Sequence, residues 1–155
     1  MNFTTRNNLI TEEEVEKFEY LIGEKLPKDY RDFLLKFNGG QPKYYIFDDS
    51  LELYPLALGY LFGLKAIMQT DDLEWNYDIY DGRIMKSFIP ISDDVGGNIF
   101  CLGISGIFRD KIFIWNHNNE IAEKKFVDDI LPENMYPLAN NFNMFINQLK
   151  EDLEK

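Results

Sequence analysis

The chain has a single cysteine, Cys101, a single histidine, His117, and no apolar run approaching the roughly 18 residues that a membrane-spanning helix needs. Each scarcity excludes something. One cysteine excludes an intrachain disulfide and suits a reducing compartment, and its apolar surroundings mark it as a small buried hydrophobe. One histidine excludes a histidine-rich metal centre. A Cys101–His117 catalytic pair would need an exposed thiol, whereas the sequence places this one in an apolar strand-like run. The opening MNFTTRNNLI has no basic stretch followed by an apolar one, so a cytoplasmic location is expected. There is no internal repeat, no low-complexity tract and no Pro-, Gly- or Ser-rich linker, so residues 1–155 are expected to form one domain.

Basic residues are scarce in one place above all. Residues 48–81 hold eight acids against Lys65 alone, while residues 1–47 hold eight against seven and residues 82–155 eleven against eight. The middle third therefore holds most of the net charge of −11. Nucleic acid or an anionic membrane would be repelled there, because neutralising phosphates takes clustered Lys and Arg. A basic partner would be attracted and steered; plain solubility is the alternative explanation of the charge.

What the chain does have is core material. Apolar residues make up 45% and aromatics 15% of its 155 residues, enough to bury about two-thirds of the unfolded surface around one core. Thr11-Glu12-Glu13-Glu14 has the form of a capping box, in which Thr11 and Glu14 satisfy each other's free backbone amides, so a helix should begin there. Val15, Phe18 and Ile22 supply its apolar stripe and Gly23 its end. Pro27 suits the first position of a second helix, with Tyr30, Phe33, Leu34 and Phe37 in helical period until Asn38-Gly39-Gly40. Strands are expected at Tyr44–Phe47, Leu51–Leu53, Phe88–Ile91, Ile99–Ile104 and Lys111–Trp115, each bounded by turn residues. Asp71 to Tyr80 could form a helix with acids at its positive end and Leu73, Tyr77 and Tyr80 on one face. Leu138, Phe142, Phe145, Ile146, Leu149 and Leu153 fall on one face of a final helix of about four turns. The expected fold is α+β: a mixed, mostly antiparallel twisted sheet, with two short N-terminal helices and a C-terminal helix packed against it.

No catalytic signature emerges. Asp93-Asp94-Val95-Gly96-Gly97-Asn98 lacks the alternation of a calcium loop, and no Lys-Ser or Lys-Thr follows the glycines as a phosphate loop requires. A turn between two strands suffices to explain this knot, with Gly96 or Gly97 at positive φ and Asp93, Asp94 and Asn98 accepting free amides. The alternative is a cleft for a small ligand built from Asp93, Asp94, Asn98 and His117. Catalytic residues, metals and cofactors are not expected. Acids interleaved with aromatics along Asp71-Asp72-Leu73-Glu74-Trp75-Asn76-Tyr77-Asp78-Ile79-Tyr80-Asp81 provide the mixture that dominates interface energies. The expected partner-binding residues are therefore Asp71, Asp72, Glu74, Trp75, Asp78 and Asp81, with Asp48, Asp49 and Glu52 next; burial of Trp75, Tyr77 and Tyr80 on an inner helix face is the competing reading.

Taken in order, Glu19, Leu21, Gly23, Leu26-Pro27, Tyr30, Phe33-Leu34 and Asn38-Gly39-Gly40, then Ile89-Pro90-Ile91, Asp94, Gly96-Gly97-Asn98, Leu102 and Ile114-Trp115-Asn116-His117, resemble the SUKH superfamily. That superfamily includes the immunity proteins of bacterial polymorphic toxin systems and a related fungal cell-wall-assembly regulator. Singly these segments are also helix starts and turns; jointly, over most of the chain, they are specific. The chain departs from the family at Gly103 and Asn116, where relatives often have acids. The resemblance implies a single SUKH-like domain and a non-enzymatic protein that binds and neutralises a cognate toxin domain. With the acidic surface, a basic toxin of nuclease type is the expected partner, and neither direct nucleic-acid nor membrane binding is expected. A regulatory interaction or scaffold protein, as the fungal relative suggests, and a small-ligand sensor are the alternatives.

Overall fold

Thr11 opens the first helix, α1 (Glu12–Ile22), through the reciprocal cap read from its sequence: its hydroxyl accepts from the Glu14 NH at 3.2 Å while the Glu14 carboxylate accepts from the Thr11 NH at 3.4 Å. Gly23, at φ 78°, ends it. Buried Glu19 then ties the helix to the next segment, accepting from the Leu26 NH at 2.7 Å and from Arg31 Nε at 3.3 Å. The second helix, α2 (Lys28–Phe37), starts one residue later than expected, with Pro27 as its N-cap in extended conformation (ψ 141°). The computed structural model describes residues 3–48 and 55–152.

Two small ladders flank these helices. Strand β1 (Phe3–Thr4) pairs antiparallel with β2 (Gln41–Pro42), and β3 (Ile46–Phe47) with β4 (Leu56–Ala57). After a short helix α3 (Leu73–Ile79) come β5 (Phe88–Asp93), β6 (Ile99–Gly103), β7 (Ile112–Trp115) and β8 (Met135–Ala139), which form one antiparallel sheet in that order. Helix α4 (Phe142–Asn147) is next, capped by the Asn141 side chain on the Met144 NH at 2.8 Å.

Side-chain alternation divides this sheet between two cores. Ile89, Ile91, Phe100, Leu102, Ile112 and Ile114 face the helices, where Tyr30, Phe33 and Phe142 meet edge-on or tilted and Phe145 reaches Phe100 at 5.4 Å between ring centroids. Phe88, Ile99, Cys101, Phe113 and Trp115 face the other way, closed over by Ile84, Met85, Phe108 and Met135. Burial on both faces is why β5 to β7 read as continuous apolar runs. The Cys101 thiol, fully buried, is pushed up far beyond its ordinary pKa by desolvation, so it stays protonated and inert. Burial raises the Tyr30 phenol too, and its hydroxyl has no hydrogen-bond partner among the described residues. Tyr30→Phe is therefore expected to leave the denaturant midpoint unchanged or to stabilise the fold by about 1 kcal/mol, since an unpaired buried hydroxyl contributes only its desolvation cost. A loss of stability would show that the hydroxyl is satisfied in solution.

The α+β class is as expected; four details differ. All pairs of named strands are antiparallel, and the parallel element of the expected mixed sheet is confined to two isolated bridges, Gly63 with Asp72 and Asp81 with Ile84. Only Ile46–Phe47 of the expected Tyr44–Phe47 strand is paired, and Leu51–Leu53 lies outside the described residues. Leu138 belongs to strand β8 and not to the final helix, which has six residues instead of about four turns. The cause lies in Asn140-Asn141: Asn141 is extended and caps a new helix, so the apolar residues before and after it sit in different elements although their spacing is helical. Leu153 lies outside the described residues.

Candidate functional site

Helix α3 exists because its first turn is held from both sides. The Asp72 carboxylate accepts from the Trp75 NH at 2.9 Å and from the Ala66 NH at 3.0 Å, and the buried Asn76 amide donates to the Thr70 and Asp72 carbonyls at 3.0 and 2.8 Å. Leu73 is fully buried, Tyr77 meets Phe18 edge-on at 6.2 Å, and Tyr80 meets Trp115 edge-on at 5.6 Å. These contacts fix the helix's rotation. Glu74 and Asp78, one turn apart, face solvent, and exposed Asp81 lies just beyond the helix end. Trp75 is half-buried, and Ile79, four residues on, is 37% exposed. The structure thus divides the aromatics: Tyr77 and Tyr80 face inward, while Trp75 and Ile79 edge an acidic stripe.

The bases paired around the stripe are paired with other acids. Lys65, the lone base of residues 48–81, is paired with Glu14 on α1 at 2.9 Å, Arg6 with Asp71, and Arg83 with Glu120 at 3.0 Å. Among the described residues no cation is ion-paired with Glu74, Asp78 or Asp81. Burial raises the Tyr77 phenol above its ordinary pKa, and the negative charges of Asp81 and Asp78 raise it further.

The expected partner-binding residues do not all lie on this stripe. Asp71 is buried against Arg6, whose guanidinium also stacks on Tyr60 at 4.5 Å, and Asp72 is occupied as a helix cap. Asp48 is exposed immediately after β3, on a different element, and Asp49 and Glu52 lie outside the described residues.

Of the four residues of the candidate cleft, Asp94, Asn98 and His117 come together around the β5–β6 turn, whereas the Asp93 carboxylate lies against Gly59. Asp94 Oδ1 accepts from the Gly96 and Asn98 amides at 2.9 Å each, Asn98 Oδ1 accepts from the His117 NH at 3.2 Å, and the His117 ring covers Gly97, whose φ is 90°. Their polar groups are turned on each other, which is the geometry of a braced turn. Asp94 Oδ2 is the one side-chain oxygen of this turn that is buried without a hydrogen-bond partner among the described residues, and no described group of three or more His, Cys, Asp or Glu is arranged to hold a metal ion. Asp93 is exposed, but partial desolvation, helped by the charges of Asp71 and Asp94, raises its carboxyl above the ordinary value.

The SMI1 / KNR4 family (SUKH-1) matches this chain over residues 9–148. The chain belongs to that family. It is also 28% identical over 160 residues to a protein of Bacillus subtilis (strain 168), the SPbeta prophage-derived uncharacterized protein YokK, a match covering 92% of this chain and 76% of the relative. The SUKH-1 match spans everything from the entry to α1 to the end of α4, including the acidic helix.

The motif residues that carry the family likeness are mostly architectural in this chain. Asn38, left-handed at φ 51°, accepts from the Leu64 NH at 2.7 Å and donates to the Asn8 and Leu64 carbonyls. Gly63 must be glycine, because a Cβ there would collide with the Asn38 carbonyl and the Asn7 amide. Both departures from the family are structural as well. At Gly103 a Cβ would run into the Phe108 carbonyl, and Asn116 caps the turn after β7 by accepting from the Asn118 NH at 2.9 Å. Sequence reasoning missed the Asn7–Asn38 clamp, which joins segments far apart in the chain and carries no periodicity. It also missed the exposed apolar residues next to that clamp.

Proposed function

We propose that this SUKH-1 chain is a cytoplasmic, non-enzymatic immunity protein that binds and neutralises a cognate toxin domain, with the outer stripe of α3 turned toward it. The carrying observation is that Glu74, Asp78 and Asp81 are exposed on and just after one short helix and, among the described residues, in no ion pair, while Lys65, Arg6 and Arg83 are paired with other acids. Unneutralised like charges clustered on a rigid element make a field that serves a partner of opposite sign. A toxin that must hold phosphates, as a nuclease does, has such a surface. Trp75 and Ile79 beside the stripe add apolar contact area of the sort that carries interface energy. No helix among the described residues is long and apolar enough to cross a membrane.

The test is protection. The genes neighbouring this chain's should include one for a protein with a toxic C-terminal domain, and cells expressing that domain should survive when the chain is co-expressed and die without it. Death at the same rate in both cultures, with the chain present and folded, would overturn the proposal in favour of a regulatory role.

A further inference from the structure

An acidic stripe speeds encounter, but slow release requires desolvated apolar contact, and the largest exposed apolar side chains near α3 are not on it. Leu9, Ile67 and Met68 are 67%, 62% and 50% exposed. One polar clamp gathers the segments that carry them. The Asn38 amide donates to the Asn8 carbonyl at 2.9 Å and to the Leu64 carbonyl at 2.7 Å, so the residue before Leu9 and the residue three before Ile67 converge on a single nitrogen. Buried Asn7 donates to the Asn38 carbonyl at 2.9 Å and accepts from the Ile67 NH itself at 3.3 Å. Asp72 holds the Ala66 NH at 3.0 Å, and Lys65 reaches Glu14 at 2.9 Å. The 64–68 segment is thus tied to residue 7, to the first turn of α1 and to the cap of α3.

We propose that Leu9, Ile67 and Met68 form the apolar anchor of the docking surface and receive an apolar side chain projecting from a basic face of the toxin domain. Charge decides the occupant: exposed Glu13 and Glu74, with Glu12 shared with Arg31 at 3.5 Å, lie on the two helix starts α1 and α3, to which the 64–68 segment is tied, while the adjacent bases Arg6 and Lys65 are held by Asp71 and Glu14. An acidic or neutral partner would gain nothing from that rim. The clamp sets the anchor's shape before binding, so little conformational freedom is lost when the partner arrives. This inference rests on the immunity reading and specifies how such a partner is held.

The test uses the intact chain and the purified toxin domain against which it protects in co-expression, with association and dissociation rates measured separately. The triple variant Leu9→Ser, Ile67→Ser, Met68→Ser is expected to dissociate about tenfold faster or more with its association rate nearly unchanged. Val95→Ser, which removes an 84% exposed side chain at the β5–β6 turn, is expected to change neither rate. Hydrogen exchange on the unsubstituted chain provides a readout independent of substitution: amides of residues 65–69 should gain protection in the complex. Unchanged dissociation together with unchanged exchange, in a complex that does form, overturns the anchor and leaves the immunity reading standing. Absence of any complex with the unsubstituted chain overturns both.

Discussion

Reversing Glu74, Asp78 and Asp81 to lysine is expected to slow association with the toxin domain by about ten- to a hundredfold at low ionic strength, with little change in the dissociation rate. The three carboxylates are exposed and, among the described residues, in no ion pair, so the substitutions break no contact within the fold. Their action is at range: at 0.1 M salt the screening length is about 10 Å, and adding salt should erase the difference between the two proteins. Stability should hardly move. Lysine at position 78, in the last turn of α3, complements the helix dipole by about 0.3 to 1 kcal/mol, while lysine at position 74, in its first turn, opposes it by a similar amount. A variant of unchanged stability that is slower to bind separates a surface serving a partner from one serving the fold. Equal association rates at low salt would contradict the role given to the stripe.

Asn38→Ala is expected to destabilise the fold by about 3 kcal/mol, lowering Tm by roughly 6 to 12 °C. Asn38 is fully buried and makes three side-chain hydrogen bonds, to the Leu64 NH and to the Asn8 and Leu64 carbonyls. Alanine leaves all three backbone groups without that partner in a place water does not reach, and it disfavours the left-handed backbone that asparagine tolerates. Asn38→Asp keeps the acceptor for Leu64 but loses the donors, so it should remain defective. Because the same amide joins residue 8 to residue 64, protection against hydrogen exchange should fall first at residues 63–67. A loss below about 1 kcal/mol in thermal or denaturant unfolding would show that the clamp contributes little.

The elements legible in the sequence are those specified by neighbours in the chain. Thr11 and Glu14 make their cap within four residues, Gly23 ends its helix through its own backbone angle, and the runs at 88–91, 99–104 and 111–115 become strands buried on both faces because both faces of the sheet are covered. Legibility failed where a distant partner decides. Met135–Ala139 has a proline in its middle and reads as the approach to a helix, yet it pairs with β7, leaving Pro137 exposed on the sheet edge where a missing donor matters least. The acidic segment was recognisable by composition, but which of its acids face outward was not. Asp71 is taken by Arg6, sixty-five residues earlier, and Asp72 by the cap of α3. Leu9, Ile67 and Met68 gave no signal, since an apolar residue in a loop looks the same whether it is tucked under or left exposed.

The central claim is neutralisation by binding alone, and titrating the toxin's own activity with the purified chain tests it most directly. Activity is expected to fall in proportion to added chain and to vanish at one chain per toxin, with the toxin recovered chemically unaltered after the complex is dissociated. Inactivation by a small fraction of an equivalent, or full activity in the presence of excess folded chain, would contradict it.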